Sequence, residues 1–348
     1  MYLIVFVILL VIELLYFRVA QRLGIVDVPN SRSSHTSVML RGGGVIFPLA
    51  IFLWAILLCM MGGSMIVMDY WPFLTGLLLL SVTGFIDDIH VLSATTRLIV
   101  QFLAVGMMLG QLVVESGWMT MDNWLLGGVL FVVAMIAFVG TVNIINFMDG
   151  INGITAGYSL AVLIPLLILN NRYETPFIPN SFLWVTALGA VVFALFNFRP
   201  KGKAKCFAGD VGSLSIGFIL LFAIGRLIVK TGDVTWLLLL AIYGVDGYLT
   251  IVHRVMLHDN IGKAHRKHAY QLMANELKMS HIWVSLIYMT MQLAVSLVAI
   301  YVIPDTIVAH WIYLVAVGLV LALAYVLFMM KYYHLHEEYL SSLRSSEM

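Results

Sequence analysis

The sequence predicts an all-α, polytopic integral membrane protein, and three observations carry that expectation. Of the 348 residues, 62% are apolar and 11% charged, whereas soluble domains carry roughly 25% charged residues. Apolar runs close to the ~20 residues needed to cross ~30 Å of hydrocarbon recur along nearly the whole chain. The basic residues gather in alternate loops, the asymmetry that places Lys/Arg-rich helix ends in the cytoplasm.

In chain order, about eleven spans are expected, with ten as the alternative. They cover residues 1–17, 44–61, 71–86, 98–114, 124–142, 153–169, 181–197, 211–229, 234–252, 282–302 and 310–330. The first run lacks a basic start and a small-residue cleavage site before Arg18, so it reads as a retained helix with its N-terminus outside. Loop 18–43 holds Arg18, Arg22, Arg32 and Arg41, loop 198–210 holds Arg199, Lys201, Lys203 and Lys205, and loop 253–281 holds Arg254, Lys263, Arg266, Lys267 and Lys278. The opposite loops hold Arg172 alone, so odd-numbered spans run inward. No repeat of fixed period or linker divides the chain. Residues 1–330 are expected as one membrane-embedded domain and 331–348 as a short cytoplasmic tail.

A net charge of +1 is too small to gather nucleic acid over a broad face. Cys59 and Cys206 fall near opposite membrane faces, which gives no disulfide framework. No Ser/His/Asp trio, thiolate environment or Walker-type loop supports peptidase, thiol or ATPase chemistry.

Ionisable side chains are costly inside the bilayer, so polar clusters at span ends are the informative ones. Five fall on the expected cytoplasmic side. Loop 27–44 brings Asp27, Arg32, His35 and Arg41 into Gly42-Gly43-Gly44. Glycines at a helix start admit an anion to free N–H groups, or simply let helices pack closely. Asp87-Asp88 ends the third span, with Arg97 opening the fourth. Adjacent acids repel unless a cation neutralises them, although a solvated helix cap is the bland alternative. Segment 143–153 sets Asn143, Asn146 and Asp149 one turn apart, followed by Asn152. These suit a metal or the edges of a nucleobase, or else hydrogen bonds between helices.

In the fourth cluster, cations run into Phe207 and Asp210 at the mouth of the eighth span. The Gly209–Ser213 turn is expected to set a carboxylate beside open backbone N–H groups, suited to metal plus phosphate. Phe207 offers a stacking face or is ordinary core. The fifth cluster, 253–281, carries His265, Arg266 and His268 among other cations, an arm that attracts polyanions or lipid headgroups. Asp246, inside the ninth span, is either a support under the arm or a buried helix contact. An anion transporter would keep its polar groups near the midplane, which disfavours that rival class.

The set Asp27-x-Pro29-Asn30-x-Arg32-x-x-His35, Gly42-Gly43, Asp87-Asp88, Asn143-x-x-Asn146-x-x-Asp149-Gly150-x-Asn152-Gly153, Phe207-x-Gly209-Asp210-x-Gly212-Ser213 and Ala264-His265-Arg266-x-His268 resembles the polyprenyl-phosphate N-acetylhexosamine-1-phosphate transferases. Within them the loop and arm resemble the branch that starts O-antigen, capsule or related surface glycans. Two departures stand out: Val38, Met39 and Leu40 replace prolines frequent before Arg41, and Asn152 replaces an acid. The resemblance implies transfer of N-acetylhexosamine 1-phosphate, GlcNAc foremost, from a UDP-sugar to undecaprenyl phosphate at the cytoplasmic face of a bacterial inner membrane. UDP-GalNAc, UDP-QuiNAc and UDP-FucNAc are the alternative donors. It further implies Mg²⁺, with Mn²⁺ as the alternative, on Asp210 and Asn146, and catalytic roles for Asp87, Asp88, His265 and His268. Arg32, His35, Arg41, Arg97, Asn143, Asp149, Asn152, Phe207 and Arg266 are the substrate-binding candidates. Membrane lipids are the expected surroundings, and a homodimer is left open.

Overall fold

The computed structural model describes residues 1–27, 38–117, 124–260 and 265–346, with side chains through Ser342. Its helices are α1 (Tyr2–Leu23), α2 (Ile46–Met60), α3 (Ser64–Asp69), α4 (Trp71–Ile89), α5 (Ala94–Ser116), α6 (Trp124–Phe147), α7 (Ile154–Asn170), α8 (Asn180–Asn197), α9 (Gly209–Thr231), α10 (Ala241–Met256), α11 (Ala269–Asn275), α12 (His281–Tyr301) and α13 (Ile307–Ser346). Ten segments among the described residues are long and apolar enough to cross a membrane, one of them α10 joined to the 3₁₀ turn Val234–Leu240. Helix α7, with 17 residues, is the shorter apolar helix. At 1.5 Å per residue it spans roughly 26 Å. It is buried almost throughout between α8 and α12, so its length is set by protein neighbours rather than lipid.

Helix α9 forms the centre, with 89% of its apolar window buried, whereas α13 lies at the rim with 11%. The buried core is continuous from α1 to α12. Phe73 of α4 stacks on Phe218 and Phe222 of α9 at 5.5 and 4.0 Å between ring centroids. Close backbone approach sets the other contact of α9. A Cβ on Gly44 would come within 2.8 Å of the Ala208 carbonyl and overlap Gly212, so only glycines admit this crossing.

That crossing selects the packing alternative for the loop glycines. Gly43 N–H donates to the Phe207 carbonyl at 2.8 Å and Gly44 N–H to the Ala208 carbonyl at 3.0 Å. These amides are spent on packing the α2 entrance against the α9 entrance. Strand β1 (Val26–Asp27) pairs antiparallel with β2 (Met39–Leu40), and Leu40 bridges to Cys206. Arg41 is thereby held beside the start of α9. The expected tail does not leave the helix, for α13 continues unbroken to Ser346.

Candidate active site

The ends of α4, α6 and α8 and the starts of α2, α5, α7 and α9 share one face of the bundle. There the two adjacent acids of α4 part company. Asp88 accepts from the backbone N–H groups of Asp210 at 2.9 Å and Val211 at 3.1 Å, and pairs with Arg41 Nε at 3.0 Å. It caps the N-terminus of α9, where a carboxylate is favoured by free amides and the positive dipole end. The amides expected to stand open to phosphate are therefore occupied by Asp88. Gly209, in the left-handed region at φ +71°, lies against the Asp88 carboxylate where a side chain would collide.

Asp87 faces the other way. Arg97 Nη1 donates to it at 3.1 Å and Leu92 N–H caps its second oxygen. Its carboxyl lies within hydrogen-bond reach of Asp210. Arg97 also stands 3.8 Å from Asp210, and Asn146 Nδ2 donates to Asp210 Oδ1 at 3.1 Å. Four elements thus converge on one point: α4, α5, α6 and α9. Two touching carboxylates with a single guanidinium keep excess negative charge that a cation or proton must offset. Among the described residues no group of three or more His, Cys, Asp or Glu gathers around a metal position. The donor set is instead hard oxygens from two carboxylates plus a carboxamide. It fits a hard divalent cation better than a softer ion needing imidazole or thiolate.

Asp149 follows α6 and accepts from the Thr155 hydroxyl. Burial pushes its carboxyl up to about 7, with Thr155 pulling the other way and the Asp88 charge adding to the rise. Two carboxamides of this segment face protein. Asn143 exchanges hydrogen bonds with Gln101 of α5 at 2.7 and 3.3 Å. Asn152, fully buried, donates to the Arg199 carbonyl at 2.9 Å and receives Ser285 on its own carbonyl at 2.9 Å, joining the 148–153 loop to the 198–206 loop and to α12. Phe207 is half-buried, its backbone paired with Leu40.

The arm docks on the end of α6, at Phe147, the residue after Asn146. Tyr270 donates to the Phe147 carbonyl at 2.9 Å, and the His265 ring meets the Phe147 ring at 6.2 Å and stacks on His268 at 5.0 Å. Burial, reinforced by His268, Arg254 and Lys267, lowers His265 to about 3. It is uncharged at neutral pH. Since its Nδ1 accepts from Lys267 N–H at 3.4 Å, its proton sits on Nε2, ready to donate. Arg266 instead turns to Glu276, at 2.7 Å. Arg32 and His35 lie outside the described residues.

Several contributors lie outside the motifs, Asp246 among them in the place of a support under the arm. Asp246 accepts from Tyr288 at 2.6 Å, Ala269 N–H at 3.1 Å and Thr250 at 3.1 Å, and meets His268 Nδ1 at 3.3 Å, fixing the arm from within. Asn197 accepts from Gly153 N–H at 2.7 Å and donates to the Cys206 carbonyl at 2.9 Å. Tyr16 holds the Arg41 carbonyl at 2.6 Å beside the fully buried Glu13. Polar residues inside apolar helices were the available signal for each.

The geometry defines a polytopic membrane protein with an acidic centre at a helix-end face. The chain is similar to glycosyl transferase family 4, whose pattern matches residues 70–227, from the start of α4 through most of α9. It is a membrane-embedded transferase. It is 27% identical over 274 residues, 76% of this chain and 74% of the relative, to a Bacillus subtilis protein named "Probable undecaprenyl-phosphate N-acetylglucosaminyl 1-phosphate transferase". It is 30% identical over 203 residues to the phospho-N-acetylmuramoyl-pentapeptide-transferase of Chlamydia muridarum, covering 51% of this chain and 58% of that protein. The protein of the same name from Deinococcus radiodurans is 33% identical over 139 residues, 40% of this chain and 38% of its own.

Proposed function

We propose that this chain transfers an N-acetylhexosamine 1-phosphate, GlcNAc 1-phosphate foremost, from a UDP-sugar to undecaprenyl phosphate, releasing UMP and starting a surface glycan such as O-antigen or capsule. The observation that carries the reading is the convergence of Asp87, Arg97, Asn146 and Asp210 from four helices at one face. The name of the Bacillus subtilis relative supports the acceptor and the sugar. An oxygen of the acceptor phosphate bonds to the sugar-proximal phosphorus, and the bond from that phosphorus to the oxygen shared with UMP breaks.

Asp210 and Asn146, with Asp87 beside them, would hold Mg²⁺, which supplies positive charge to the donor pyrophosphate. Arg97 orients Asp87 and leaves part of its half-exposed guanidinium for phosphate oxygens. His265 adds a neutral N–H donor that binds the phosphates of the UDP-sugar. Asp87 acts by positioning. A phosphate monoester has its second pKa near ~6, so the acceptor is mostly dianionic at neutral pH and has no proton to surrender. Asp149 and the Phe207 segment serve the uridine end, and the site faces the cytoplasm.

The test uses the full chain in lipid nanodiscs. UMP should appear from UDP-GlcNAc only when undecaprenyl phosphate and Mg²⁺ are both present, and a panel with UDP-GalNAc, UDP-QuiNAc and UDP-FucNAc, read by mass of the lipid product, ranks the donors. UMP release without lipid, or no lipid-linked product from any of the four, rejects the reading. A deficit in Asp87→Asn that stays constant from pH 6 to 9 supports positioning, whereas recovery at high pH identifies a base.

A further inference from the structure

The stretch of α13 beyond the membrane lies against the arm. Tyr333, His336 and Tyr339 recur every three residues and so share one helix face. Glu276, just after α11, accepts on one oxygen from Arg266 Nη2 at 2.7 Å and from His336 Nδ1 at 3.0 Å. The Tyr339 ring covers the Arg266 guanidinium at 4.0 Å, a cation–π contact over a residue that is 9% exposed. Tyr333 meets His253 of α10 at 4.6 Å and lies 5.9 Å from Lys267, which itself pairs with Asp259 at 2.7 Å. Below these polar contacts, Ala269 and Leu272 of α11 share a small apolar cluster with Tyr325 and Met329 of α13. Burial raises the Glu276 carboxyl, but His336 and Arg266 outweigh it and hold it below its ordinary value. An ionised Glu276 only accepts, so His336 donates through Nδ1.

Asp246 grips the arm from the bundle side, at His268, Ala269 and Tyr270. The contacts above grip it from the opposite side, one residue after His265. We infer that the α13 extension is a clamp that sets the position of His265 against the end of α6, with Glu276, His336 and Tyr339 as positioning residues acting through Arg266. Under this inference Arg266 is a strut between α13 and the arm. The inference rests on the reading that the arm meets the donor phosphates.

The test compares Tyr339→Leu, Tyr339→Phe and His336→Ala in the full chain in nanodiscs, by amide hydrogen exchange and by steady-state kinetics. In Tyr339→Leu, exchange over 265–276 should rise by about tenfold while α9 stays protected, as expected for a local opening. KM for the UDP-sugar should rise roughly fivefold to tenfold, with kcat and the KM for the lipid near wild type. Tyr339→Phe keeps the ring face and should restore both readouts. His336→Ala should loosen the same segment, and Tyr339→Leu, at the helix surface, decides the question if His336→Ala does not fold. Unchanged exchange over 265–276 overturns the clamp, and a loosened arm with unchanged donor KM overturns its positioning role. Exchange requires no turnover, so a wild-type chain without transferase activity would defeat the proposed reaction while the clamp is still judged on its own.

Discussion

The acidic centre and the arm solve the same problem, holding charge at a hydrocarbon boundary, in different ways. At the centre, Asp88 is neutralised by the amides of α9 and by Arg41, all brought together by the buried α2–α9 crossing. The arm has no such crossing. It hangs between one intramembrane acid, Asp246, and the rim helix α13. Charges whose partners are backbone amides of a buried helix are fixed as firmly as the fold, while charges partnered by side chains of a peripheral helix can be loosened without unfolding it. The division suits a transferase in which metal and phosphate geometry must stay constant while a donor enters and product leaves.

Substitutions should separate the two regions, with the largest effect at the centre. Asp210→Asn should lower UMP release by about 10²–10³-fold, the range seen on removing one group that stabilises a transition state, with thermal stability at or above wild type because it relieves the repulsion with Asp87. A fall below tenfold would show that Asp210 is not the focus of the site. Asp246→Asn comes next and inverts the pattern. It removes the charge that orders His268, Ala269, Thr250 and Tyr288, so it should destabilise the protein by up to about 3–5 kcal/mol. Activity per folded molecule should fall by only about tenfold, through donor KM. Equal loss of kcat in both variants would erase the distinction between a rigid centre and a supported arm.

Much of this architecture was legible in the sequence. Long apolar runs and the one-sided Lys/Arg bias gave the crossings and their alternation, because hydrocarbon thickness and helix rise leave little freedom. The clustering of polar residues at alternate span ends likewise gave Asp87, Arg97, Asn146 and Asp210. What escaped was direction. Successive helix residues point about 100° apart, since there are 3.6 per turn, so Asp87 and Asp88 face different partners although they read as one motif. The choice of which acid turns to Asp210 depends on the α4–α9 packing angle, which no local pattern encodes. Asp246 was visible as a lone intramembrane acid, but its partners lie between 4 and 42 residues away and depend on how α10 meets the arm and α12.

Asp149 offers a smaller test, through pH. Its carboxyl in the folded chain is raised to about 7 by burial, against about 3.9 when unfolded. Between those values the unfolded chain releases the proton first, so stability declines as pH rises through that window and levels off above it. Asp149→Asn has no such proton to lose. Wild type should therefore lose melting temperature relative to Asp149→Asn between pH 4.5 and 7.5, with the gap constant above pH 8. Parallel curves would show that water reaches Asp149 freely and that the α6–α7 turn is more open than its contacts indicate.

The smallest effect belongs to Asn143. Its carboxamide is engaged by the reciprocal pair with Gln101 and by the Val139 carbonyl at 2.8 Å, which commits both of its N–H donors within the protein. Gln101→Leu and Asn143→Leu should each cost stability by leaving the partner amide buried without a mate, about 1–3 kcal/mol apiece. The double variant should cost less than the sum, because two apolar groups then face each other where one stranded amide stood. Donor KM should change by less than about twofold throughout. A strictly additive cycle together with a tenfold rise in donor KM for Asn143→Leu alone would return Asn143 to the substrate and make the Gln101 pair a resting contact that opens when the donor arrives.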